Sequence, residues 1–88
     1  MKVLKFGATW CPGCLIMKPR WDEIEQENPW LETEFLDADQ ATELVNKYAI
    51  KDLPTFVYLD QAGNEIERQH GIIPKTKIVE TINQYKDK

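Results

Sequence analysis

Histidine occurs once in this chain and cysteine twice, and there are only four glycines. Structural zinc sites use four ligands, and two cysteines with the distant His70 cannot supply them. Long apolar runs are also missing. The first one, Val3-Leu4-Lys5-Phe6, is broken by Lys5, so neither a secretory leader nor a span of about 20 apolar residues is expected. Low-complexity segments, internal repeats and linkers are absent, and 88 residues suit a single domain, 1–88. A formal net charge of −4 leaves no basic excess for phosphate backbones and argues against a nucleic-acid partner. What remains is 42% hydrophobic and 30% charged, an ordinary globular balance.

Against that background one segment stands out. Trp10-Cys11-Pro12-Gly13-Cys14 holds both cysteines of the chain. A disulfide across so short a loop removes little unfolded-state entropy and is a poor staple, which favours a chemical role. The segment follows an apolar strand pattern and precedes a helical one, the setting in which Cys-x-x-Cys is redox-active. Pro12 suits the first turn of a helix, where its missing N–H costs nothing. Cys11 at that helix start would face unpaired N–H groups and the positive end of the helix dipole, both of which favour negative sulfur. Cys14 falls on the same side one turn on, within bonding reach. Cys11 is therefore expected to attack a target disulfide, and Cys14, expected to be the more buried, to resolve the mixed disulfide. Pro12 and Gly13 keep bulk away from the sulfurs, and Trp10 offers an apolar flank. Two buried, inert thiols are the bland alternative.

The surrounding pattern predicts β-α-β-α-β-β-α. Residues 2–7 read as a strand covered on both faces. A helix follows from Cys11 or Pro12 to Asn28-Pro29, with Cys14, Met17, Trp21 and Ile24 as its buried stripe and a kink expected at Pro19. Leu31 to Asp37 reads as a second strand with Phe35 and Leu36 as its apolar pair. Asp39 is expected to cap a helix carrying Ala41, Leu44, Val45 and Tyr48. Thr55–Leu59 is the strongest strand signal. Asp60–Asn64 reads as a turn, Glu65–His70 as a charged edge strand ended by Gly71, and Pro74 as the start of a last helix with Ile78, Val79, Ile82 and Tyr85. Helices on both faces of a four-stranded mixed sheet bury all these stripes.

Several separated segments are similar to the thioredoxin family. Phe6-Gly7-Ala8-Thr9-Trp10-Cys11 resembles its strand and approach to the active site. Pro19 resembles the helix proline, Asp37-Ala38-Asp39 the next strand end, Tyr48 to Phe56 the segment carrying a cis-proline, and Gly71 the glycine beside the site. The resemblance covers essentially the whole chain and implies a minimal thioredoxin-like α/β fold. It implies that Pro54 is cis and stacks on the cysteine pair, and that Leu53 and Thr55 flank a backbone edge pairing with substrate. Trp10, Pro12, Gly13, Asp52, Leu53, Pro54, His70, Gly71 and Ile72 would form the docking surface. It further implies a cytoplasmic, monomeric electron carrier without bound cofactor beyond a Cys11–Cys14 disulfide, acting on disulfide-containing proteins and recharged by a thioredoxin-reductase-like donor, with no membrane partner.

The departures are informative. The dipeptide between the cysteines is Pro-Gly, where thioredoxins usually have Gly-Pro; a leading Pro is similar to glutaredoxins and bears on redox poise. The family's buried Asp before the active site is replaced by Lys5, and its lysine partner by Phe35. Lys5 is expected either to favour a Cys14 thiolate or to reach Asp37 or solvent. The family's N-terminal strand and helix have no counterpart here, so a glutathione-linked, glutaredoxin-like enzyme is a second reading, although the glutaredoxin Gly-Gly pair has no match near Gly71. A partner-docking module with incidental redox activity is a third. His70 reads as an exposed edge-strand residue, and Asp22, Glu23, Glu25 and Glu27 as a solvated helix face.

Overall fold

Val3, Leu4 and Phe6 are all buried, so strand β1 (Lys2–Gly7) must lie between two apolar layers. The computed structural model describes all 88 residues and places it so. The sheet order is β2-β1-β3-β4, with β2 Glu32–Asp37, β3 Thr55–Leu59 and β4 Glu65–His70. β1 runs parallel to β2 and antiparallel to β3, and β3 and β4 form an antiparallel hairpin. The expected four-stranded mixed sheet is present, with Glu65–His70 at an edge.

Alternation along the strands creates two cores. One face carries Val3, Phe56 and Tyr58 against Met17, Trp21 and Ile24 of α1 (Pro12–Glu27) and Ile78 and Ile82 of α3 (Lys75–Gln84). The other carries Leu4, Phe6, Leu36, Val57 and Leu59 against Ala41, Leu44, Val45 and Tyr48 around α2 (Thr42–Lys47). Helices thus cover both faces, as the pattern required. No helix is long and apolar enough to cross a membrane.

The buried Tyr58 hydroxyl needs a partner. It donates to Gln69 Oε1 at 2.9 Å; Gln69 Nε2 donates to Thr81 Oγ1 at 2.9 Å, and Thr81 Oγ1 to Lys77 O at 2.8 Å. This chain fixes the register of β3, β4 and α3 together. The Asp60–Asn64 turn closes through the Asn64 N–H on Asp60 Oδ1, with Gly63 at φ +86° where only glycine is unstrained.

α1 runs through Pro19 and ends at Glu27 with Asn28 as its C-cap, where the sequence placed its end. Three expectations need correction. β2 starts at Glu32, and of its apolar pair only Leu36 is buried, while Phe35 is 60% exposed on the outermost strand. Parity explains this: Leu36 faces α2, whereas Phe35 faces the α1 side, beyond the reach of that core. Asp39 does not cap α2. The helix starts at Thr42 with Ala41 as an uncapped N-cap, because Asp39 lies in a turn where its N–H bonds Asp37 Oδ1. Lys5 pairs with Glu25 rather than Asp37: its Nζ is 2.6 Å from Glu25 Oε2 and 5.7 Å from the Trp21 ring centre. Lys5 is therefore a half-buried strand-to-helix tie, and most of the acidic face is likewise paired, Glu23 and Glu27 with Lys75 and Asp22 with Lys18.

Candidate functional site

Both cysteines sit where β1 gives way to α1, at one end of the sheet. Cys11 is the N-cap residue, extended at φ −91°, ψ 114°, and its Sγ accepts the Cys14 N–H at 3.2 Å. The sulfur thus occupies the place of an ordinary capping oxygen, meeting one of the helix's unpaired donors. Its own N–H donates to Ala8 O at 3.3 Å, closing the Ala8–Cys11 turn.

This capping geometry reverses the expected burial. Cys11 is only 4% exposed, while Cys14 is half-buried. Folding Sγ back over the helix end sinks Cys11 into the turn. Cys14 instead points across Gly7, which has no Cβ to cover it: a Cβ there would lie 3.2 Å from Cys14 Sγ and 3.0 Å from Phe35 Cε1. Beside it opens a pocket of about 420 Å³, walled by Cys14, Met17, Trp21, Phe35, Phe56 and the stem of Lys5.

Burial, and next the hydrogen bond with Cys11, push the Cys14 thiol up from the usual range to about 11. Lys5 is not among the causes, consistent with its tie to Glu25. Because the thiolate is the reacting form, alkylation of Cys14 by iodoacetamide is expected to accelerate about tenfold per pH unit from neutrality and to level off only near pH 11. Peptide-resolved mass spectrometry over a pH series checks this. Phe35→Ala, which opens the pocket wall to water, should move the plateau to lower pH.

Opposite the pair lies Pro54, whose bond to Leu53 is cis. A Cβ on Gly13 would be 3.0 Å from Pro54 Cδ and 3.8 Å from Ile72 Cγ1, so the loop between the cysteines packs against both. The Leu53 N–H and C=O have no backbone partner. Thr55 differs from the expectation. It is buried, its backbone lies in β3 between Phe6 and His70, and its hydroxyl donates to Asp52 O. A residue already paired on both sides presents no edge to substrate, so Thr55 holds the loop instead.

Most of the remaining expected docking residues are exposed. Pro12, Asp52 and His70 are exposed, and Trp10 and Ile72 are 65% and 54% exposed. Gly71, at φ +86°, donates its N–H to Pro54 O at 2.9 Å and brings the two loops together. One partner was missed: Trp10 Nε1 donates to Asp39 Oδ2 at 2.9 Å, pinning the exposed indole beside the site. Its signal was Asp39, read as a local cap because a cap and a long-range acceptor look alike in sequence. No cluster of three or more metal-binding side chains is present.

The chain is similar to known proteins over nearly its whole length. The family model described as Thioredoxin matches residues 1–84. Thioredoxin of Mycoplasmoides gallisepticum is 32% identical over 80 residues, covering 91% of this chain and 79% of that one. Among solved structures, Fasciola hepatica thioredoxin superposes with a TM-score of 0.87 at 34% identity, over 96% of this chain and 79% of that one. Thioredoxin NaTrxh from Nicotiana alata gives 0.88 at 27% identity, over 96% and 71%.

Proposed function

This chain belongs to the thioredoxin family and is a thiol–disulfide oxidoreductase, and on that premise we propose that Cys11 and Cys14 carry the exchange and that the substrates are protein disulfides. Cys11 sulfur attacks one sulfur of the substrate disulfide, forming a mixed disulfide and releasing the other as thiolate. Cys14 sulfur then attacks Cys11, giving the Cys11–Cys14 disulfide and the second substrate thiolate. A donor resembling thioredoxin reductase returns two electrons. The observation that carries this reading is Cys11 Sγ set as the N-cap of α1, 3.2 Å from the Cys14 N–H, with Gly13 packed on cis-Pro54.

Docking follows from the groups left open. The unpaired Leu53 backbone can bond an extended peptide. Trp10, Pro12, Gly13, Pro54, Gly71 and Ile72 give it an apolar bed, with Asp52 and His70 at the rim. We read residues 1–88 as one domain acting as a monomer. A dithiol that must be kept reduced belongs in a reducing compartment, which favours the cytoplasm.

Electron supply separates this from the glutathione-linked reading. Turnover of a protein disulfide is expected with NADPH and a flavin thioredoxin reductase, and a Cys11–Cys14 reduction potential near −270 mV, about that of thioredoxins. Turnover with glutathione and glutathione reductase alone, together with a potential near about −200 mV, would establish the glutaredoxin-like alternative.

A further inference from the structure

Both main-chain polar groups of Ile73 are held by side chains of α1. Arg20 Nη1 donates to Ile73 O at 2.7 Å, and the Ile73 N–H donates to Met17 Sδ at 3.4 Å. The same guanidinium lies 3.6 Å from that sulfur, so Met17 and Arg20, one turn apart, act as a paired clip. Arg20 is half-buried and Met17 buried. A charged donor to a carbonyl is the stronger kind of hydrogen bond, and losing it would leave Ile73 O without this partner.

The clip acts on a short segment whose other anchors are the Ile73 side chain against the core and one backbone bond from Gly71. Gly71 to Ile73 joins the end of β4 to Pro74, the N-cap of α3, which has no side-chain cap bond. Its ties are the Gly71 N–H to Pro54 O and the two bonds from α1. Between them Ile72 projects, half exposed, with its Cγ1 beside Gly13. The helix that carries the cysteines thus also sets where Ile72 stands relative to them.

We propose that Arg20 is a positioning residue for substrate selection: it fixes Ile72 beside Gly13, in the loop between the cysteines, so that disulfides flanked by apolar residues are preferred. This rests on the reading above of Ile72 as a docking residue, and the test separates the two. Arg20→Met, Arg20→Lys, Met17→Leu and Ile72→Ala would be assayed on a Leu-flanked peptide disulfide, an Asp-flanked one, and hydroxyethyl disulfide, which is too small to reach Ile72. Arg20→Met is expected to raise KM for the Leu-flanked peptide about five- to tenfold with kcat within about twofold and to leave hydroxyethyl disulfide unaffected, and Ile72→Ala to raise KM for the Leu-flanked peptide by a similar factor. Arg20→Lys, which keeps a charged donor, should recover part of the loss, and Met17→Leu should give a smaller rise. If Ile72→Ala raises KM and Arg20→Met does not, the Arg20 role is wrong and the docking reading stands. If Ile72→Ala changes nothing, docking at Ile72 is wrong and the inference falls with it. An equal loss on hydroxyethyl disulfide in the Arg20 variants would reduce Arg20 to a stabilising residue and also overturn it.

Discussion

Cys11→Ser is expected to lower turnover of a protein disulfide about a thousandfold or more, and Cys14→Ser to stop the reaction one step later, with substrate held covalently. The difference follows from chemistry and position together. Serine cannot form the mixed disulfide, so without the Cys11 sulfur the first bond never forms. Without Cys14 that bond forms and nothing displaces it. The burial of the pair makes this a demanding test. Cys11 is the less exposed sulfur and Cys14 borders an open pocket, so exposure alone would choose Cys14 as the attacker. Two observations outweigh exposure. Cys11 Sγ receives a backbone N–H at the positive end of α1, which suits a sulfur that must carry charge. The Cys14 thiol is pushed up to about 11, leaving it almost wholly protonated near neutrality. Incubating each variant with an oxidised protein substrate and resolving the adducts by mass spectrometry decides between them. A stable adduct on Cys11 in Cys14→Ser, with none accumulating on Cys14 in Cys11→Ser, is the expected result; equal adducts at comparable rates would reverse the assignment of roles.

The same contrast shows which parts of the molecule were legible in the chain and which were not. Val3, Phe6, Phe56, Tyr58 and Ile78 were readable as core because strand and helix periodicities are local. The Cys pair was readable because its chemistry depends on neighbours in sequence. Phe35 and Leu36 were not separable: both are apolar and adjacent, and only the arrangement of helices over β2 determines that one is buried and the other 60% exposed. Lys5 with Glu25, Trp10 with Asp39, and Arg20 with Ile73 are ties between residues far apart in the chain. Each leaves only a polar residue in an otherwise ordinary place as its trace. Of these, the charge of Lys5 is visible in the sequence and the direction of its side chain is not. The order of sulfur burial was missed for a related reason. It depends on Cys11 turning back to cap α1 and on Gly7 leaving Cys14 uncovered, neither of which is a property of the Cys-x-x-Cys spacing.

Phe6→Ala is the substitution expected to cost the fold most. Phe6 is fully buried within the cluster of Leu4, Leu36, Val57 and Leu59. Its ring centre is 6.1 Å from that of Tyr48, tilted at 59°, which ties β1 to the end of α2. Its backbone pairs with Leu36 on one side and Thr55 on the other. Truncation removes the transfer energy of the ring and leaves a cavity that three elements cannot close together, a loss of about 3–5 kcal/mol. Domains of this size have about 5–15 kcal/mol in all. With about 4–8 °C lost per kcal/mol, the melting temperature should fall by on the order of 15 °C or more. Phe35→Ala is the matched control: the same side chain, one strand away and 60% exposed, should change stability by about 1 kcal/mol or less. Urea titration of both variants checks the pair, and similar midpoints would contradict the placement of β2. The consequence reaches the site as well. Phe6 precedes Gly7, over which Cys14 lies, and pairs with Thr55, whose hydroxyl holds the loop before cis-Pro54. Loss of the ring should therefore loosen both sides of the sulfur pair. Phe6→Ala is expected to lose activity at temperatures where it remains folded.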